Sequence, residues 1–112
     1  MDMSSRHEGA LQIVEVNAQR IDAAVAIQFK DMMRAETDGP TQRVILDLSQ
    51  VEFIDSSGLG AIVAAMKQLG PGRQLDLAGL TPNVDSVFRL TRMDTVFSLY
   101  PTLDAALMAK AV

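Results

Sequence analysis

Residues 43–70, RVILDLSQVEFIDSSGLGAIVAAMKQLG, pass from one hydrophobic period to another within a single stretch. The opening RVILDLS (43–49) is β-branched and aliphatic, too short for a helix and too apolar for a sheet edge, so it reads as a central strand. From Leu59 the apolar residues fall at 59, 62, 63, 66 and 69, the spacing of a helix packed on one side, and GPG at 70–72 ends it. Between them lies FIDSSGLG (53–60), an acid and two hydroxyls at a strand-to-helix turn.

Working outward, LQIVEV (11–16) alternates on a period near two, and the polar NAQR after it suggests a β-hairpin whose second strand ends near Ile21. Asp22 is placed to N-cap a first helix over AAVAIQFKDMMRAE, where Val25, Phe29, Met32 and Met33 recur at helical spacing; DGP at 38–40 closes it. Downstream, LDLAGL (75–80) reads as a strand and TPNVDSVFRLTR as a helix with Pro82 near its start. VFSLY (96–100) reads as a strand and TLDAALMAKA (102–111) as a last helix. Strands alternating with helices imply one α/β domain, a mixed sheet with right-handed βα crossovers and about four packed helices. The domain is expected over 10–112, with residues 1–9 a flexible tail. The methionines, Met32, Met33 and Met66 among them, read as core filler.

The chain has 112 residues, enough for a core that needs no staples. It is 48% hydrophobic and 21% charged, the balance of an ordinary globular domain. Without cysteine, neither disulfides nor thiolate chemistry is available, which fits a reducing compartment, and a cytoplasmic location is expected. The start, MDMSSRHEGA, lacks a basic segment followed by an apolar one, and no run approaches the ~18 apolar residues of a membrane span. Neither export nor membrane insertion is expected. Ten Lys and Arg against fourteen Asp and Glu, with no basic stripe, argue against nucleic acid and for a protein partner.

DSSG supports two readings. Asp and Ser are good acceptors for the free N–H groups of a first helical turn, and Gly58 allows a tight backbone, so the motif can be purely structural. The same geometry also presents a serine hydroxyl where another protein can reach it. Enzymatic readings fit less well. A nucleophile elbow needs G-x-S-x-G and a histidine base, but Ser56 follows Asp55 and the only histidine, His7, lies in the expected tail. Gly58, Gly60 and Lys67 do not have phosphate-loop spacing. Asp31, Asp47, Asp76 and Asp85 fall on separate elements without His or Cys company, so no metal site and no cofactor is expected.

The runs VILDLSQVEFIDSSGLGAIVAAMKQL and LAGLTPNVDSVFRLTRMDTVFSLYPTLDAAL resemble the STAS domain of bacterial anti-sigma factor antagonists, over residues 10 to 108. The resemblance implies a single STAS domain that is not an enzyme. Its first serine of D-S-[ST]-G, here Ser56, would be phosphorylated by an anti-sigma factor that is also a serine kinase with a histidine-kinase-like ATPase fold. A metal-dependent serine phosphatase would reverse the modification. Ser57 is then a cap or packing hydroxyl and Asp55 the acid that shapes the loop. Asp22 matches a family aspartate at the partner contact, and the interface would include Gly58 and run along the second helix over Gly60, Ala61, Ala64 and Lys67. Two departures bear on partner choice: Gln19 and Arg20 replace the usual Gly and Glu before Asp22, and Arg92 stands where many relatives have glycine. Free-standing STAS-like chains also serve as regulatory or assembly subunits of membrane transport complexes, which is the alternative reading.

Overall fold

The computed structural model describes residues 1–109. Its elements run β1 (Asp2–Glu8), β2 (Leu11–Asn17), β3 (Arg20–Ile21), α1 (Ala26–Glu36), β4 (Arg43–Asp47), β5 (Phe53–Ile54), α2 (Ser56–Leu69), β6 (Gln74–Ala78), α3 (Pro82–Leu90), β7 (Leu99–Tyr100) and α4 (Leu103–Met108). Five strands form one sheet in the order β1-β2-β4-β6-β7, and β3 and β5 form a small parallel ladder of their own. β1 is antiparallel to β2, whereas β2–β4, β4–β6 and β6–β7 are parallel. The sheet is therefore mixed, and β4 is the central strand that its apolar run implies.

Strand alternation divides the core into two unequal parts. Val14, Val16, Val44, Leu46, Leu75 and Leu77 form the larger one with Phe29 and Met33 of α1, Ile62 and Leu69 of α2, and Val84 and Phe88 of α3. Met32 and Met66 pack against its edge, in keeping with their reading as filler. On the other face, Ile45 and Ala78 meet Ala106 of α4, with Leu11, Tyr100, Leu103 and Leu107 around them. A six-residue helix is too short to be stable alone, and Arg43 holds this one down. Its guanidinium pairs with buried Asp76 at 2.8 Å and donates to the carbonyls of Ala106 (3.0 Å) and Ala109 (3.2 Å), the end of a helix where a cation is favoured. Gln74 Nε2 donates to the second Asp76 oxygen at 2.7 Å, so the buried carboxylate is fully engaged.

Several expectations are corrected. Residues 1–9 are not a tail: Asp2–Glu8 form β1, turned back onto β2 at Gly9, whose φ of +64° suits a two-residue hairpin turn. As an edge strand β1 buries only Met3, so it carried no alternation to read. The hairpin is thus β1–β2, and the second strand expected near Ile21 is β3, parallel to β5. α1 starts at Ala26, not after Asp22; its N-cap is Val25, without a side-chain bond. Asp22 instead closes the preceding turn, accepting from Ala24 N–H on Oδ1 and from Val25 N–H on its backbone carbonyl, each at 3.1 Å. The last strand shortens to Leu99–Tyr100 and α4 ends at Met108; the remainder of the expected helix, 110–111, lies outside the described residues. Arg92, the position flagged as a departure, is a left-handed residue at φ 63°, ψ 20°, a conformation that glycine adopts without strain.

Candidate functional site: the start of α2

Asp55 is the N-cap of α2: its Oδ1 accepts from Gly58 N–H at 2.9 Å. Its Oδ2 accepts from Ala23 N–H at 3.1 Å, so one carboxylate joins the β3–α1 turn to the helix start. The Gly58 N–H, assisted by Ala23 and opposed by some desolvation, holds this carboxyl below the usual carboxylate range. Gly58 is buried where α2 crosses β3, and a Cβ there would overlap the Ile21 carbonyl oxygen and come within 2.9 Å of Ile54 Cγ1. Only glycine allows this approach.

Ser56 and Ser57 are the first two residues of the helix, both exposed, and neither hydroxyl takes part in a side-chain hydrogen bond among the described residues. Ser57 therefore neither caps nor packs, contrary to expectation, because Asp55 takes the capping position. From Ser56 the exposed face continues through Gly60 to Lys67, with Ala64 half-buried between them. Eleven residues separate Ser56 from Lys67, about 16 Å along the axis. Ala61, expected on this face, is only 2% exposed and packs in the main core, and Gly58 is buried as well. Both correct the expected exposed face: they lie beneath it, in the core, and not on it.

Beside the helix start, the β3–β5 ladder turns Ile21 and Ile54 inward and Arg20, Asp22, Phe53 and Asp55 outward. The Arg20 guanidinium lies 4.1 Å from the Phe53 ring centroid while its Nε pairs with Asp22 Oδ2 at 3.1 Å. Phe53 remains 41% exposed even so. Phe53 was not among the expected site residues; the signal available was its alternation with buried Ile54 immediately before the DSSG turn. An exposed serine hydroxyl at the start of α2 thus follows directly in the chain on a strand ladder that turns outward a stacked Arg–Phe pair and two carboxylates.

The chain matches the family model described as STAS domain over residues 3–106. It is 31% identical over 90 residues to BtrV of Bordetella bronchiseptica, provisionally named an anti-sigma factor antagonist, covering 80% of this chain and 78% of that protein. It is 29% identical over 104 residues to the anti-sigma F factor antagonist of Paenibacillus polymyxa, covering 88% and 81%. Among solved structures, an anti-sigma-factor antagonist (STAS) domain protein from Planctomyces limnophilus superposes with a TM-score of 0.86 at 25% identity, over 96% of this chain and 97% of that one. The match runs from Met3 in β1 to Ala106 in α4 and takes in the strand, DSSG turn and helix around which the site is built, and on that extent the chain belongs to the STAS domain family.

Proposed function

We propose that this protein is an anti-sigma factor antagonist, a binding module with no catalysis of its own, whose contact with a kinase-type anti-sigma factor is switched by phosphate on Ser56. The observation that carries the reading is the hydroxyl of Ser56, exposed at the first position of α2 and without a hydrogen-bond partner among the described residues, directly after the strand that carries Phe53. Unmodified, this surface sequesters the anti-sigma factor, and its sigma factor is released. The partner transfers a phosphoryl group from ATP to Ser56 Oγ, releasing ADP and the hydroxyl proton, and a metal-dependent phosphatase hydrolyses the phosphoserine. The setting is cytoplasmic; no helix among the described residues is long and apolar enough to cross a membrane.

Charge explains how the switch works without refolding. Phosphate adds about −1.5 to −2 units at neutral pH, and the first helical turn offers N–H groups and a dipole that accept an anion. A partner that closed over a neutral hydroxyl instead meets a dianion beside Asp55. An unpaired charge trapped in an interface costs about 2–5 kcal/mol, which is a ~30- to 5000-fold loss of affinity. Phosphate mapping by mass spectrometry on protein from its native cells, with calorimetry of the captured partner against wild type, Ser56→Ala and Ser56→Asp, tests the reading. Phosphate on Ser56 alone, binding kept in Ser56→Ala and weakened at least about tenfold in Ser56→Asp, is expected. Phosphate confined to Ser57, or equal affinities for the two variants, refutes it.

A further inference from the structure

Among the described residues β1 is a seven-residue edge strand paired with β2 alone. Several features that protect an edge are missing: DMSSRHE contains no proline and no lysine, and its register against β2 runs from Asp2↔Asn17 to Glu8↔Leu11 without a bulge, which leaves Asp2, Arg6 and Glu8 as its only charged side chains. All of its residues except Met3 are exposed. Because the two-residue turn makes Glu8↔Leu11 a hydrogen-bonded pair, the even-numbered residues bond to β2 and the backbone groups of Met3 and Ser5 point away from the sheet.

We propose that this edge pairs with the same edge of a second copy, antiparallel and centred on Ser4, to make a weak homodimer with a continuous ten-stranded sheet. Charge and length of overlap together select the register: centring on His7 would also set Arg6 opposite the second copy's Glu8, but it joins only strand residues 6–8, against 2–6 for Ser4. Centring on Ser4 sets Asp2 opposite the second copy's Arg6 at both ends. Centring on Ser5 would set Asp2 opposite Glu8, and centring on Arg6 would oppose two arginines. In the Ser4 register Met3 and the second copy's Ser5 exchange backbone hydrogen bonds, and the reverse pair does the same. Asp2–Arg6 and Ser4–Ser4 fall at the closer, non-hydrogen-bonded positions, where a small residue at the axis and opposite charges beside it fit. Within one chain Asp2 is steadied by Asn17 Nδ2 at 3.0 Å, and Arg6 enters no ion pair among the described residues, so its charge is free for the second copy. One strand pair lies well below the area of a permanent interface, so association should appear only at high concentration.

Sedimentation velocity on the full chain, over a series reaching millimolar concentration, reads the outcome. Wild type should show a concentration-dependent dimer that weakens with added salt. Asp2→Arg alone and Arg6→Asp alone should each lower the association constant roughly tenfold or more, with unchanged circular dichroism. Mixing those two single variants should restore association, because each then carries the charges the other needs. A monomer at every concentration, a dimer indifferent to both reversals, or a mixture that fails to associate overturns the proposal.

Discussion

The Cα of Gly58 lies so close to the carbonyl of Ile21 that a single added methyl would overlap the oxygen, while at Gly60, half a turn further along α2, a methyl would meet nothing within 4 Å. Two glycines of one DSSGLG turn thus have opposite roles. Gly58→Ala should destabilise the protein by about 1–3 kcal/mol as α2 is pushed off β3. Gly60→Ala should stabilise it by about 0.5–1 kcal/mol through helix propensity. Urea melts of the two variants should shift in opposite directions; equal shifts would mean that α2 does not cross β3 as described.

Asp55 should leave a signature in acid. Its carboxyl titrates lower in the folded protein than in the unfolded chain, since Gly58 and Ala23 donate to the charged form. Its contribution is therefore full above the unfolded value, about 3.9, and fades as pH falls through the lower folded value. Unfolding free energy measured from pH 6 downward should fall less steeply in Asp55→Asn than in wild type over that acid limb. Parallel curves would remove Asp55 from the account.

Arg43 and Asp76 form a buried pair that also anchors α4. Arg43→Met leaves the Asp76 carboxylate without its cation and should cost about 3–5 kcal/mol. Hydrogen exchange should accelerate first across residues 103–109, because the α4 carbonyls lose their donors before the main core opens. Loss spread evenly over both core clusters would contradict this.

Arg92 sits in a left-handed conformation that disfavours any side chain by about 1–2 kcal/mol, while glycine gains about 0.5–1 kcal/mol of freedom when unfolded. Arg92→Gly should therefore raise stability by up to ~1 kcal/mol, visible as a melting temperature several degrees higher. A lower melting temperature would show that the Arg92 side chain makes a contribution larger than this strain.

Phosphate on Ser56 should leave the fold intact. Attraction to the helix N-terminus and repulsion by Asp55 act on exposed groups, so they should balance to within about 1 kcal/mol. Amide exchange across residues 56–69 should stay protected in the phosphorylated protein. Deprotection of α2, or a melting temperature lowered by well over ~8 °C, would make the proposed switch an order-to-disorder transition.

The long buried elements were legible because burial on one or both faces writes itself into the sequence. β4 has five buried residues in succession, and α2 repeats its apolar positions over three turns. β1 was not legible, since an exposed edge buries one residue in seven. β3 and β5 are two-residue ladders whose pairing comes from tertiary contact, below any periodicity. At the site, Asp55 and Ser56 followed from the turn motif, but Ala61 was misplaced because alanine is equally at home on a solvent face and against a sheet. Phe53 was missed for the converse reason: an aromatic beside an isoleucine reads as core until the strand's alternation is known.

The double acceptance by Asp55 has a consequence for recognition. Its two oxygens hold the β3–α1 turn and the first turn of α2 at a fixed separation before any partner arrives. Those segments are therefore preorganised as one template, and a protein docking across both need not surrender the entropy of aligning two independent loops. Substituting Asp55 would then weaken binding even for a partner that never touches it. The loss should appear as a less favourable binding entropy, with the contact residues on either side unchanged.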